Sequence, residues 1–324
     1  MAKPHVLLTG PMMPLIEDGL AKHYVVHKLH EAHDRSQLIT KIAPDVTAIA
    51  TGGHTGVKCD EGFMAQFPRL KCVGNFGVGY DSIDSKAAAK RGVIVTNTPD
   101  VLTEEVADTT LGLLIMTVRE FGKAEQYLRA GLWAKDGDYR LTPASLRDRR
   151  VGIVGMGRIG QAIAKRIEAF GMPISYFSRT PKKELSYKYY GNLLDMARDV
   201  DTLVVITPGG AETKNMINAE VLKALGSRGI LINVARGTVV DEPALIAALK
   251  NKTIQAAGLD VFWNEPNVDP EFLKLDNVVL LPHVGSASEC TRQMMGQLVV
   301  DNLAACAEGK TPPTPVPETP FKGW

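Results

Sequence analysis

The chain has 324 residues, enough for about two domains that each bury a core of their own. Hydrophobic residues make up 45% and charged residues 23%, an ordinary globular composition that excludes a disordered, collagen-like or disulfide-scaffold chain. The 37 basic and 36 acidic residues leave a net charge of +1. We therefore expect no nucleic-acid partner and no anionic membrane surface as a partner.

Targeting signals are not expected in this sequence. The N-terminal residues lack the charged and apolar regions of a signal peptide, and the longest apolar run, 111–118, is interrupted and too short to cross a bilayer. The four cysteines form no CxxC pair and are typical of reduced thiols rather than a disulfide framework or zinc site. These features predict a cytoplasmic protein.

The first hundred residues show short apolar segments, rich in β-branched residues, at the spacing of strand–helix–strand units. The predicted strands are 6–9, 24–29, 48–51, 70–74 and 93–96, and helices are predicted at 36–42 and 85–90. Five strands with intervening helices favour a parallel sheet of flavodoxin-like type.

A long helix is predicted over 103–130, because its apolar residues recur with a period close to 3.6. Thr103 can cap its first turn, acids follow at the positive end, and Gly131 can end it. We expect this helix to lead the chain from one domain into the other.

A second strand series follows, with predicted strands at 151–154, 174–177, 202–206, 230–233, 255–260 and 278–281. Six strands are the number in a Rossmann domain. A final helix over 287–308 is expected to return to the first domain, and the proline-rich tail 311–324 to form an extended strap. The predicted fold class is α/β, with two doubly wound parallel-sheet domains.

A G-x-G-x-x-G motif follows the first strand of this series and precedes a helix predicted at 161–170. It consists of Gly155, Met156, Gly157, Arg158, Ile159 and Gly160. In this context the glycines allow a tight turn, close approach of a pyrophosphate and helix–strand packing. The helix N-terminus then offers free N–H groups to the phosphates, so the motif predicts a dinucleotide site.

The end of the next strand bears on the choice of cofactor. An NAD enzyme normally has an acid there for the ribose 2′-hydroxyl, but this chain has Ser178, Arg179 and Thr180. A guanidinium and two hydroxyls suit a 2′-phosphate, which favours NADPH and NADP+ while leaving NADH possible. The alternative is a solvated basic loop.

Three polar residues fall at the carboxyl ends of predicted strands: Arg236, Glu265 and His283. Together they suit reduction of a 2-keto acid. The arginine can bind the carboxylate, the histidine can donate a proton, and the glutamate can orient the imidazole. Each has a plain alternative: a helix-start phosphate ligand or a surface ion pair for Arg236, an exposed loop acid for Glu265 and a capped loop histidine for His283.

The order of these motifs resembles the D-isomer-specific 2-hydroxyacid dehydrogenases. It runs G-x-G-x-x-G, then N-V-A-R-G at 233–237, G-L-D-V-F-x-x-E-P at 258–266 and L-P-H-V-G-S-A-S at 281–288. The resemblance implies an NAD(P)-binding Rossmann domain at 99–287. It also implies a substrate-binding (catalytic) domain formed by 1–98 and 288–324.

Further roles are implied by the same resemblance. Val78 and Gly79 would hold the substrate carboxylate together with Arg236 and His283, and Asp260 would accept from the nicotinamide carboxamide. Other cofactor contacts would come from Thr207, Pro208, Val234, Ala235 and Gly285. The segment 133–141 resembles the arm of a homodimer, in which Trp133 either enters the partner's active site or belongs to a core.

The cofactor strand and the residues after His283 are similar to the glyoxylate/hydroxypyruvate reductases that use NADPH. This implies reduction of glyoxylate to glycolate and of hydroxypyruvate to D-glycerate. Two alternatives stay open: a hydroxyphenylpyruvate-type or broad 2-ketoacid reductase, and an NAD(P)-sensing scaffold similar to corepressors that resemble this family. No metal site is expected.

Overall fold

The computed structural model describes residues 3–147 and 149–323, which fold as two compact units. One unit comprises Met1–Leu102 and Ser288–Trp324, and the other comprises Thr103–Ala287. Within the described residues the strands are β1 (His5–Leu8), β2 (Val25–Lys28), β3 (Val46–Thr51), β4 (Cys72–Asn75), β5 (Ile94–Thr96), β6 (Val151–Val154), β7 (Ile174–Phe177), β8 (Lys188–Tyr190), β9 (Thr202–Val205), β10 (Ile230–Asn233), β11 (Ala256–Leu259) and β12 (Val278–Leu280).

The α-helices surround these strands. They are α1 (Pro14–Ala21), α2 (Arg35–Ile42), α3 (Glu61–Ala65), α4 (Ser85–Lys90), α5 (Thr103–Arg119), α6 (Phe121–Arg129), α7 (Leu132–Asp136), α8 (Arg158–Glu168), α9 (Leu193–Asp199), α10 (Ala219–Leu225), α11 (Glu242–Lys250) and α12 (Glu289–Ala307). None of the described helices combines the length and the apolar character that a bilayer crossing requires.

The first unit contains a five-stranded parallel sheet in the order β2-β1-β3-β4-β5, the flavodoxin order. The helix α12 packs on α1 and β4 because small residues allow the backbones to come close. A Cβ on Gly19 would lie 2.7 Å from Val300, and one on Gly74 would lie 3.0 Å from Leu303. The hydroxyl of Tyr24 donates to the carbonyl of Leu303 at 2.6 Å, which fixes the last turns of the helix.

The C-terminal tail lies as a strap along β5. The amide of Val316 donates to the carbonyl of Val95 at 2.9 Å, and the Val95 amide donates to Oγ1 of Thr319 at 2.8 Å. Val316 is 1% exposed, so the tail contributes a side chain to the core of this unit. The strap is extended because its prolines exclude a helix but leave carbonyls and some amides to pair with an edge strand.

The second unit contains a seven-stranded parallel sheet in the order β12-β11-β10-β9-β6-β7-β8. Two separate apolar clusters cover its faces, one formed with α9, α10 and α11 and the other with α5 and α8. The six-strand prediction was one short, because β8 is a half-exposed edge strand without a run of branched residues. Its Tyr189 packs on Tyr176 of β7, with ring centroids 5.4 Å apart.

The prediction of one long helix over 103–130 was wrong in one respect, because the structure has two helices separated at Glu120. This residue adopts a left-handed conformation, with φ of 51°, between α5 and α6. Its carboxylate pairs with Lys123 and Arg140 across the bend. The apolar period continues through the bend, but α5 buries seven residues whereas α6 buries none, so only α5 belongs to the core.

Candidate active site

All loops predicted to carry the site in the second unit follow the carboxyl ends of parallel strands, and the sheet therefore places them along one edge. The glycine motif comes after β6. The other predicted residues come after β7 (Ser178, Arg179, Thr180), after β9 (Thr207, Pro208), after β10 (Val234, Ala235, Arg236), after β11 (Asp260, Glu265) and after β12 (His283, Gly285). The order of strands decides which of these loops are neighbours.

The three glycines of the glycine motif have different surroundings, two crowded and one open. A Cβ on Gly155, whose φ is 104°, would lie 2.6 Å from the carbonyl oxygen of Ile206, and one on Gly160 would lie 2.1 Å from that of Gly155. These two glycines are required by packing inside the protein. Gly157 is different, because a Cβ there would meet nothing within 4 Å, so the surface above it is open to a ligand.

The helix that follows the loop begins at Arg158, three residues before the predicted start. Gly157 occupies the N-cap position and offers no side-chain oxygen to the first-turn amides. Those amides, including the amide of Ile159, are oriented along the helix axis towards the N-terminus, where they can bind an anion. Met156, by contrast, is 1% exposed and serves packing.

A buried hydroxyl beside this loop has no protein partner. Oγ1 of Thr207 is inaccessible to solvent and makes no hydrogen bond within the described residues, an arrangement that is rare for a buried polar atom. The next residue, Pro208, accepts a hydrogen bond from Thr213 at 2.7 Å, which closes the loop after β9. The open Gly157 surface, the uncapped helix and the orphaned hydroxyl fit a bound dinucleotide.

The residues predicted for the ribose end stand on a short exposed turn after β7. Oγ of Ser178 donates to the carbonyl of Thr180 at 2.7 Å, and the hydroxyl of Tyr189 donates to the carbonyl of Ser178 at 3.3 Å. Nη1 of Arg179 lies 3.7 Å from Oε2 of Glu212, which belongs to the loop after β9. Sequence analysis did not identify Glu212.

The histidine and glutamate predicted for catalysis are hydrogen-bonded to each other. Nδ1 of His283 lies 2.6 Å from Oε2 of Glu265, while Oε1 of Glu265 accepts from the Phe262 amide at 2.9 Å. Burial raises the pKa of Glu265, but the hydrogen bonds from His283 and Phe262 and the charges of His283 and Arg236 outweigh it, so the net pKa is lowered. The glutamate is therefore ionised at neutral pH and holds a proton on Nδ1 of the imidazole.

The backbone of His283 is held in an uncommon conformation. Its φ is 54°, in the left-handed region, where residues with a Cβ are rarely found. Asp260 supports this turn, because its two carboxylate oxygens accept from the amides of Val284 and Gly285 at 2.7 and 2.8 Å. Burial raises the pKa of Asp260 despite these hydrogen bonds. The structure thus gives Asp260 a role in orienting the histidine that the sequence did not indicate.

The Arg236 turn is fixed from both sides. Asn233 donates to the carbonyl of Arg236 and accepts from the amide of Ala235, both at 3.1 Å. Gly237 then passes so close to the β11 loop that a Cβ would lie 1.9 Å from the carbonyl carbon of Phe262. The backbone that carries Arg236 is therefore packed directly on the backbone that carries Glu265.

Glu242, at the first position of α11, binds the same loop after β11 through its carboxylate. Its Oε1 accepts from the amide of Trp263 at 2.6 Å, and the indole of Trp263 donates to the carbonyl of Val240 at 2.7 Å. Burial raises the pKa of Glu242. Glu242 was not identified from sequence, and Gly237 was named only as part of the N-V-A-R-G motif, because the importance of both depends on which loop they contact.

In the first unit, Val78 and Gly79 lie on a turn after β4. Nδ2 of Asn75 donates to the carbonyls of Gly77 and Gly79 at 2.9 and 3.0 Å, and Asn97 donates to the carbonyl of Val78 at 2.8 Å. The turn is thus pinned through its carbonyl groups. The described residues contain no group of three or more His, Cys, Asp or Glu side chains that could hold a metal ion.

Known proteins similar to this chain are dehydrogenases and reductases, which is consistent with the site described above. A family model described as D-isomer specific 2-hydroxyacid dehydrogenase, NAD binding domain, matches residues 111–285. The chain is also 43% identical to the hydroxyphenylpyruvate reductase of Plectranthus scutellarioides, over 96% of this chain and 98% of that one. The chain belongs to the D-isomer specific 2-hydroxyacid dehydrogenase family.

Other members of the family are similarly close. A glyoxylate/hydroxypyruvate reductase A of Arabidopsis thaliana is 42% identical over 96% of this chain and 98% of that one. The NADPH-dependent glyoxylate/hydroxypyruvate reductase of Sinorhizobium meliloti, solved with NADP and malonate, is 50% identical, with a TM-score of 0.94 over 99% of this chain and 98% of that one. The predicted two-sheet fold and the predicted enzyme class of this dehydrogenase are thereby confirmed.

Proposed function

We propose that this dehydrogenase reduces small 2-keto acids, glyoxylate and hydroxypyruvate among them, with NADPH. The observation that carries the proposal is the hydrogen-bonded pair of Glu265 and His283 on the sheet edge that also carries the glycine loop. Related proteins named glyoxylate/hydroxypyruvate reductase support the choice of substrate.

Each site residue has a defined task in this mechanism. When bound, the dinucleotide supplies the hydride. Glu265 accepts the hydrogen bond from Nδ1 of His283. In the imidazolium form of this residue, Nε2 carries a proton as well, and that proton is transferred to the ketone oxygen as the hydride arrives. Arg236 binds the substrate carboxylate, and Val78 and Gly79 stay the predicted substrate contacts of the first unit.

The preference for NADPH rests on the turn after β7. No acid stands there to accept from a ribose hydroxyl, and Arg179, Ser178 and Thr180 provide donors for a 2′-phosphate. The glycine motif from Gly155 to Gly160, with its open surface at Gly157, receives the pyrophosphate. The remaining cofactor contacts that we propose are Thr207, Pro208, Val234, Ala235, Asp260 and Gly285.

A larger 2-keto acid remains a second candidate substrate, because the hydroxyphenylpyruvate reductase relative is 43% identical. The deciding experiment follows NADPH and NADH oxidation with glyoxylate, hydroxypyruvate and hydroxyphenylpyruvate in parallel. We expect the highest kcat/KM with NADPH and the two small acids. A maximum with hydroxyphenylpyruvate would reassign the substrate but keep the chemistry, and cofactor binding without turnover would favour the scaffold interpretation.

The His283→Ala variant tests the proposed proton donor in the same assay. Loss of a general acid lowers kcat by about 10²–10⁴-fold. A variant that kept nearly normal kcat would contradict the role of His283.

We also propose a cytoplasmic homodimer. The helices α6 and α7 bury no residue in the isolated chain, and four large apolar side chains of this region are exposed: Phe121, Leu128, Trp133 and Leu141. An amphipathic helix without a buried face is expected to be covered by another surface, and a second copy is the occupant that we propose. Four free thiols suit a reducing compartment.

A further inference from the structure

The ion pair between Arg179 and Glu212 joins two loops that follow non-adjacent strands of the sheet. Arg179 follows β7 and Glu212 follows β9, and the sheet order puts β6, with its glycine loop, between those two strands. The pair therefore connects the loops on either side of the predicted pyrophosphate site. A dinucleotide whose ribose lies at the end of β7 meets both members of the pair.

The pair contributes little to the stability of the fold. The side chains of Arg179 and Glu212 are 90% and 83% exposed, and their nearest charged atoms are 3.7 Å apart. Exposed ion pairs of this kind make only a small contribution in water, and salt screens it. The guanidinium can therefore exchange its carboxylate partner for another anion at small cost.

The backbone that carries the carboxylate, however, stays in place when the partner is exchanged. Thr213, the residue after Glu212, donates to the carbonyls of Pro208 and Gly210, at 2.7 and 3.4 Å, and this closes the loop. The backbone around Arg179 is fixed by the hydrogen bonds of Ser178. A phosphate that binds Arg179 must then share the guanidinium with a nearby carboxylate.

We propose that Glu212 sets the cofactor discrimination of this enzyme by competing with the ribose 2′-phosphate for Arg179. The proposal rests on the proposed NADPH-dependent function. A ribose 2′-phosphate, with a charge of about −1.5 to −2, needs the guanidinium as its partner and must displace the carboxylate that occupies it. The ribose hydroxyls of NADH carry no charge, so Glu212 penalises NADPH alone.

The test is a titration with NADPH and NADH, followed by nicotinamide fluorescence in the absence of any 2-keto acid. We expect the Glu212→Gln variant to bind NADPH about two- to fivefold more tightly, a gain that shrinks at high salt. The Kd for NADH is expected to change less than about twofold, because no charge is opposed. Glu220→Gln, which removes an exposed charge from the first turn of α10, is the matched control and is expected to alter neither Kd.

The Arg179→Ala background separates competition from simple repulsion. There the Glu212→Gln exchange is expected to have little effect on NADPH binding, since the contested guanidinium is gone. An unchanged or weaker NADPH affinity in Glu212→Gln, or an undiminished gain in the Arg179→Ala background, would overturn the proposal. If the wild-type enzyme bound neither cofactor, the proposed function would fall as well, so the two failures are distinguishable.

Discussion

His283 shows how a single residue is prepared for chemistry by its neighbours. Its left-handed backbone is stabilised by Asp260, which accepts from the two amides that follow, and its ring is held by Glu265. Non-glycine residues in this conformation are costly unless their surroundings determine it, and they concentrate at functional sites. The orientation of the imidazole is therefore fixed at both its backbone and its ring.

The lowered pKa of Glu265 gives a prediction about stability and pH. A carboxyl group whose pKa is lower in the folded than in the unfolded state stabilises the fold above its unfolded pKa, and loses that contribution as pH falls through the folded pKa. The wild-type enzyme should therefore lose more free energy of unfolding between pH 7 and pH 3 than Glu265→Gln does, because the loss begins near the ordinary pKa of 4.5 and continues below it. The expected difference is on the order of 1 kcal/mol, because the pair is partly exposed.

Urea unfolding at the two pH values measures this difference. Glu271→Gln serves as a positive control, because Lys250 and Lys274 lower the pKa of Glu271 to about 2 at a partly exposed site outside the catalytic pair. Parallel curves for the wild-type enzyme and Glu265→Gln would show that the Glu265 contact does not form in solution.

At the scale of elements, one buried arginine ties the amino-terminal ends of the Rossmann strands together. Arg149 precedes β6 and donates to the carbonyl and carboxylate of Asp201 before β9, to the carbonyl of Arg228 before β10 and to Gln255 before β11. The residue is 4% exposed. Its position opposite the catalytic edge makes it a structural rather than a chemical residue.

We expect Arg149→Met to lower the free energy of unfolding by about 3–5 kcal/mol, since removing one member of a buried pair leaves Asp201 without its opposite charge and the carbonyl of Arg228 without this donor. Burial lowers the pKa of Arg149, because desolvation of the guanidinium opposes the favourable interaction with Asp201. Denaturant unfolding measures the effect. Arg150→Met, at the exposed neighbour, is the matched control and should change the midpoint little; equal effects of the two variants would refute the assignment.

At the scale of the whole molecule, the chain crosses between its two units twice, at Leu102 and at Ser288. The first unit is therefore assembled from both ends of the sequence, with α12 and the tail completing a sheet formed by the first hundred residues. The second unit is continuous in sequence. Its helices α6 and α7 bury no residue within the chain.

The proposed dimer predicts sedimentation at twice the mass of the chain. Charges placed on the exposed apolar surface should dissociate it, so the double variant Leu128→Glu/Leu141→Glu is expected to sediment as a monomer. Leu273→Glu changes an equally exposed leucine, 69% accessible, elsewhere in the second unit and should leave the dimer intact. A monomeric wild-type enzyme would contradict the proposed assembly.

The sequence by itself determined the elements and the order of the site residues. Strands such as β6, β7 and β10 were predicted with their observed bounds, because a short run of buried apolar residues between turn residues encodes a strand locally. Since the strands are parallel, the residues at their carboxyl ends necessarily lie along the same edge of the sheet. That rule placed Arg236, Glu265 and His283 together without any knowledge of loops.

Only the tertiary structure decided which side chains touch within that edge. The pairing of Glu212 with Arg179, the support of the His283 turn by Asp260 and the packing of Gly237 on the β11 loop each join segments far apart in sequence. The bend at Glu120 depends likewise on where the core ends. Such contacts follow from the paths of loops, which local periodicity does not encode, because a loop's conformation is set by the surface on which it packs.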